Sequence, residues 1–244
     1  MKDSMIVTID STYSIFFGDK YTCPVGHKTP AFKNFCETQR QAIGLDHMLF
    51  QRQVHGVDGL IITQKQQLTH TVMLYEQEGD FLITNQPKVG LGILTADCLP
   101  IVFYVPGKNI IAAAHAGWRS SVACIAPIVI ESLQKQFNVA PQDIHVIFGP
   151  SAKSCCYQVS PDFINNLSPF AFSDQVITMH DGKLFFDNPL FNKLLLNQAG
   201  VPITHINENY NLCTICNYQF HSYRRTVNKE NYYEAQATII WLKK

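Results

Sequence analysis

No excess of either charge marks this 244-residue chain, in which 19 lysines and arginines stand against 19 aspartates and glutamates. A surface that follows phosphates needs a basic surplus, so nucleic acid is disfavoured as the main partner. No apolar run is long enough to span a membrane, and residues 1–21 hold no unbroken apolar stretch of signal-peptide length. The chain therefore reads as cytoplasmic, with no membrane partner. Low-complexity tracts and internal repeats are missing, and 46% hydrophobic residues suffice for a sizeable core. It reads as one domain, residues 1–244. His-x-His pairs are missing too, since no two of the nine histidines are separated by one residue. What is plentiful is cysteine: eight of them. Without an export signal they read as buried thiols, metal ligands or nucleophiles rather than disulfides.

Short apolar segments separated by Gly, Pro or Asn predict strands at Val57–Thr63, Phe81–Thr84, Leu91–Thr95, Ile101–Val105, Ile110–His115, Ile144–Phe148 and Ala235–Leu242. The first thirty residues, punctuated by Gly18, Pro24, Gly26 and Pro30, read as strands and turns. Phe35 to Phe50 is loosely helical, interrupted by Gly44. Ser120 or Ser121 is placed to cap a helix running to about Phe137, with Pro127 either kinking it or sitting in its first turn. A further helix spans Leu190 to Ala199 and stops at Gly200 and Pro202. Strands and helices mix without regular alternation, which predicts an α+β fold with a mixed sheet core flanked by helices.

Three stretches place a soft or nitrogen ligand beside small residues at a strand end: Gln53-Val54-His55-Gly56, Thr95-Ala96-Asp97-Cys98-Leu99-Pro100 and Ala114-His115-Ala116-Gly117-Trp118-Arg119. Two imidazoles and a thiolate make a three-ligand Zn²⁺ site that leaves a fourth position open, as catalytic zinc requires. Such an ion lowers the pKa of bound water toward ~7. Asp97 is placed to orient a ligand histidine or to handle a proton. On spacing alone the competing reading is simpler: a histidine or cysteine in an apolar strand is a packed core residue.

The QVHG, TADCLP and HAGWR stretches are followed by Gly149-Pro150-Ser151, Cys156-Tyr157-Gln158-Val159 and Ser222-Tyr223-Arg224-Arg225. In this order they resemble the motifs of the YfiH family, from about Gln53 to Leu242. That family was long labelled multicopper polyphenol oxidase or laccase and later described as purine nucleoside phosphorylases. The resemblance implies a YfiH-like, cysteine-hydrolase-like fold and metal ligands at His55, Cys98 and His115. It also implies phosphorolysis of adenosine, inosine and methylthioadenosine, with adenosine deamination as a second activity. The partners are then a purine nucleoside and phosphate. Arg119, Arg224 and Arg225 are the candidate phosphate binders, because a guanidinium fork matches phosphate oxygens; their alternative role is structural pairing.

Departures from the family pattern fall around the pocket. Ser120 replaces the glycine usual after HAGWR. The family's glycine-rich GGVS segment has only Phe17-Gly18-Asp19-Lys20 as its nearest remnant. The Thr-Gly-Arg expected after SYRR gives way to a stretch around Asn231 to Gln236 without arginine. Laccase chemistry itself fails on ligands, because a trinuclear copper cluster needs His-x-His pairs. A lone Cys-His₂ site still takes Cu²⁺ in vitro, since copper outranks zinc in affinity.

Two other functions stay open on the same residues. Cys98 activated by His115 would make a Cys-His hydrolase or amidase acting on peptidoglycan precursors, and a metal site without turnover would make a zinc-binding module. Cys213-x-x-Cys216 followed by His221 resembles the start of a zinc knuckle, but Tyr223 to Thr226 offer no fourth ligand, so no second structural zinc is expected there. Cys155 and Cys156 are adjacent and poorly placed to bond each other, and Cys156 reads as a packing residue. Cys23, Cys36 and Cys124 read as small core hydrophobes.

Overall fold

The computed structural model describes residues 5–9, 11–23, 29–226 and 234–243. Pro24 and Gly26, read as turn positions, and residues 231–233 of the divergent stretch lie outside these. Two mixed six-stranded sheets form the body. The first runs in the order Met5–Thr8, Tyr13–Phe17, Gln236–Leu242, Val89–Thr95, His47–Arg52, Val72–Glu78. The second runs Ile206–Asn207, His145–Phe148, Leu99–Tyr104, Ile111–Ala116, Phe81–Thr84, Gly59–Ile62. A small third sheet joins Gln158–Val159, Lys183–Phe186 and Ile177–His180.

The large sheets pack face to face through Leu49, Leu91 and Ile93 on one side and Leu82, Val102 and Ala113 on the other. Helix Pro30–Ala42 covers the outer face of the first sheet, setting Phe32 and Cys36 against Met48 and Phe50. Helix Ile125–Phe137 covers the second, setting Val129 and Leu133 against Ile101 and Phe103. The fold is thus α+β, in four layers, as the irregular mixing of elements predicts. The central strands are covered on both faces, which is why they read as unbroken apolar runs rather than alternating ones. Each large apolar side chain buried there contributes about 1.5–3 kcal/mol.

Two helical expectations change. The Phe35–Phe50 segment is not one helix: the Pro30–Ala42 helix ends, Gly44 turns the chain at φ +72°, and His47–Arg52 becomes a strand. The helix expected from Ser120 to Phe137 is split into Trp118–Val122 and Ile125–Phe137 by Cys124, which has φ +65°. Pro127 falls in the first turn of the second piece, where its missing N–H has no helical partner to lose.

Candidate metal centre

The chain crosses from one large sheet to the other through Ala96-Asp97-Cys98, between strands Val89–Thr95 and Leu99–Tyr104. The loop after His47–Arg52 is sewn to the same place by Gln53. Its side-chain amide mimics a strand, donating to Leu94 O at 2.7 Å and accepting from Leu94 N at 2.8 Å. His55 follows with φ +61°, and Asp97 has φ +85°. Left-handed backbone at two non-glycine residues costs about 1–3 kcal/mol each and is sustained only where surrounding contacts over-determine it.

These elements bring His55, Cys98 and His115 together, with one ligand atom from each lying within 4.8 Å of the others. Cys98 Sγ is 3.7 Å from His55 Nε2, and the imidazoles of His55 and His115 meet edge to face at 4.7 Å. His55 is exposed, Cys98 half-buried and His115 buried, so the set opens to solvent on one side. Gly117 of HAGWR explains itself here. A Cβ at that position would lie 2.7 Å from His55 Cδ2 and 3.1 Å from Cys98 Sγ. Gly117→Ala is therefore expected to push His55 off the site and weaken any metal binding there by about 10-fold or more, at about 1–3 kcal/mol of overpacking. A zinc competition titration checks this, and an unchanged affinity contradicts it.

The carboxylate that orients a ligand histidine is Asp80, which the sequence reading did not single out. It is fully buried and accepts from His115 Nδ1 at 2.8 Å through Oδ1. The same carboxylate takes three consecutive backbone amides of the QVHG loop: Val54 at 3.2 Å, His55 at 3.0 Å and Gly56 at 2.7 Å. One side chain thereby fixes the tautomer of one ligand and the backbone of another. With Nδ1 engaged, Nε2 of His115 is the atom free to bind a metal, the arrangement expected around a ligating histidine. Burial raises the Asp80 pKa, but its bonds to His115 and the amides outweigh this and leave it lowered. The signal in the sequence was a carboxylate directly before the apolar Phe81-Leu82-Ile83 run, where an unpaired charge is too costly to keep.

Asp97, expected to orient a histidine, faces the other way. Its Oδ1 accepts from Thr214 Oγ1 at 2.7 Å, and its Oδ2 from Ser222 Oγ at 3.0 Å and Arg224 N at 2.7 Å. It anchors the SYRR segment. The three arginines divide as well. Arg119 and Arg224 line the cavity above the ligands, lying over the rings of Trp118 at 4.3 Å and Tyr157 at 5.0 Å. Arg225 does not reach it: the guanidinium donates to the carbonyls of Thr214, Ile215, Asn217 and Phe220. Arg225→Ala is expected to cost about 2 kcal/mol of stability by leaving those carbonyls without their charged donor. Anion binding in the cavity should stay unchanged, whereas Arg224→Ala should weaken it. Unfolding curves and phosphate titrations separate the two, and the reverse pattern contradicts the assignment.

The cavity measures about 780 Å³, and its lining includes Trp118, Tyr157, Tyr223 and all three ligands. Burial alone would raise the Cys98 thiol, but the charge on His115 and hydrogen bonds from both histidines outweigh it and lower the thiol to about 6. In contrast, burial pushes Cys23 up to about 12. In chelator-treated protein near pH 7, Cys98 should therefore be a thiolate and alkylate ahead of Cys23, with zinc restoring protection. Mass mapping of the modified cysteines is the check; equal labelling with and without zinc contradicts it.

The fold and this site define a class of protein: a two-sheet α+β scaffold carrying an open His₂Cys set, able to hold a metal, beneath an arginine-lined cavity. The chain belongs to the YfiH family, whose profile, described as multi-copper polyphenol oxidoreductase laccase, matches residues 25–243. It is 35% identical over 184 residues to a protein of Borreliella burgdorferi named purine nucleoside phosphorylase, covering 70% of this chain and 76% of that one. It is 30% identical over 192 residues to adenosine deaminase RL5 of an unknown prokaryotic organism, covering 75% and 71%. The crystal structure of Bacillus licheniformis YfiH shares the fold with a TM-score of 0.79 and 22% identity, over 97% of this chain and 98% of that one. Among the described residues, no helix is long and apolar enough to cross a membrane.

Proposed function

We propose that the chain is a zinc-dependent purine nucleoside phosphorylase acting on adenosine, inosine and methylthioadenosine, with adenosine deamination as a side activity. The observation that carries this is the open His55–Cys98–His115 set facing a cavity that also presents two guanidinium groups and aromatic rings. The names of the relatives, purine nucleoside phosphorylase and adenosine deaminase, support a nucleoside-processing function. The donor set fits zinc: two imidazoles, one with its second nitrogen held by a buried carboxylate, and a thiol that ionises easily. Bound there, zinc supplies Lewis acidity toward water or a substrate oxygen at neutral pH.

The rest of the chemistry falls to the chain. Tyr223, exposed on the cavity wall, offers an aromatic face for a purine ring, while the Trp118 and Tyr157 rings seat the two guanidinium groups. Burial raises the pKa of the Tyr157 hydroxyl, so it stays protonated and able to donate. Arg119 and Arg224 hold phosphate oxygens and offset negative charge as the glycosidic C–N bond breaks and the C–O bond to phosphate forms. Asp97 is a positioning residue, holding Arg224 through its backbone amide. The protein should be incubated with adenosine, with and without phosphate, and the products separated. Adenine and ribose 1-phosphate only when phosphate is present, with some inosine in both, is the expected result. None of these products, with zinc supplied, overturns the reading.

The lowered Cys98 thiol also favours a second reading, a Cys-His hydrolase with Cys98 as nucleophile and His115 as base. Chelation decides between them. A hydrolase of this kind keeps its activity without metal and loses it on alkylation of Cys98.

A further inference from the structure

Four cysteines that the nucleoside site leaves unused stand together. Cys155 and Cys156 lie in the turn after Ser151, and Cys213 and Cys216 form the CxxC that on sequence alone wanted further ligands. Their sulfurs all lie within 4.8 Å of one another, and the Cys155 and Cys216 sulfurs are 4.0 Å apart. A tetrahedral zinc with Zn–S bonds of about 2.3 Å sets its sulfurs ~3.8 Å apart, so the cluster closes on one ion with small shifts. His221, the residue spaced like the next knuckle ligand, turns away to Glu234 at 3.0 Å.

Core packing does not account for the cluster, because Cys155 and Cys216 are exposed and all four thiols are free of disulfides. The surrounding backbone is built around it. A parallel bridge pairs Ser151 with Cys213, and Thr214 N donates to Ser151 O at 2.9 Å. Four soft donors with no open position suit a structural zinc, not a catalytic one. The sulfurs are also too close together to surround a multi-iron cluster.

We infer that Cys155, Cys156, Cys213 and Cys216 form a second metal site, a closed tetrathiolate centre that takes a structural Zn²⁺. Binding displaces the thiol protons to solvent and moves no electrons. The ion would clamp two loops that wall the nucleoside cavity. One carries Tyr157 and Gln158; the other carries Thr214, Ser222 and Arg224, which hold Asp97 and reach Gln158 O. This inference is independent of the reaction proposed for the cavity.

Metal content of the purified full chain, measured by elemental analysis and native mass spectrometry, tests it. Wild type should carry about two zinc ions per chain, and Cys155→Ser and Cys216→Ser about one each. The Cys98→Ala His115→Ala variant, stripped and reloaded with Co²⁺, should still show the strong thiolate-to-cobalt charge transfer of a tetrathiolate. That spectrum keeps the inference testable if the Cys155 and Cys216 variants fail to fold. A Cys98→Ala His115→Ala protein that takes up neither zinc nor cobalt overturns the inference. So does a native mass two hydrogens lower with a Cys155–Cys216 disulfide and no metal at the cluster.

Discussion

Asp80→Ala should unfold about 3–5 kcal/mol more easily than wild type and bind zinc about 10–100-fold more weakly. The stability figure follows from the part-buried hydrogen bonds of the Val54, His55 and Gly56 amides, which all lose their charged acceptor at once; each is worth about 1.5–3 kcal/mol, reduced here because water reaches the freed amides. The metal figure follows from the loss of the partner of His115 Nδ1, which frees the ring to rotate and to protonate the wrong nitrogen. Asp80→Asn should not rescue the protein. Both carboxylate oxygens receive donors, so an amide NH₂ on either side confronts an N–H. Urea unfolding and zinc competition check both numbers. A stable Asp80→Asn protein with wild-type zinc affinity would mean that the carboxylate does not organise the site.

Cys98→Ala should lower kcat about 1,000-fold while leaving the fold intact and KM little changed. The ligand is lost, and with it the several kcal/mol of Lewis-acid stabilisation, at about 1.4 kcal/mol per factor of ten. Arg119, Arg224 and the aromatic walls remain to bind substrate, which is why the effect should appear in turnover rather than in affinity. Steady-state kinetics with adenosine and phosphate, alongside circular dichroism, make the comparison. A variant with normal kcat would remove the metal from the reaction.

The candidate metal set was legible in the sequence because its three side chains stand beside small residues at strand ends. His55, Cys98 and His115 stand in three short motifs, and the structure joins them. The central strands were legible for a related reason: burial on both faces leaves runs such as Phe81-Leu82-Ile83 no polar position to blur them. What escaped depended on distance through the fold. Asp80 has no motif of its own, and its role appears only when the strand after it is laid beside Ile111–Ala116. Arg224 and Arg225 are neighbours with the same chemistry, yet one lines the cavity and the other is consumed by four carbonyls, a difference set by which way a short helical turn faces. The Cys213-x-x-Cys216 pair looked incomplete because Cys155 and Cys156 reach it across some sixty residues of chain. The split of Phe35–Phe50 at Gly44 was flagged by the glycine itself, although helical spacing hid the strand that follows.

A metal held by His55, Cys98 and His115 is proposed to drive the nucleoside reaction, and metal-dependent turnover tests this directly. Adenosine consumption in phosphate buffer should be followed on protein stripped by a chelator and then titrated with zinc. Turnover should disappear on stripping and return with zinc in wild type but not in Cys98→Ala. Undiminished turnover in the metal-free wild type would contradict it.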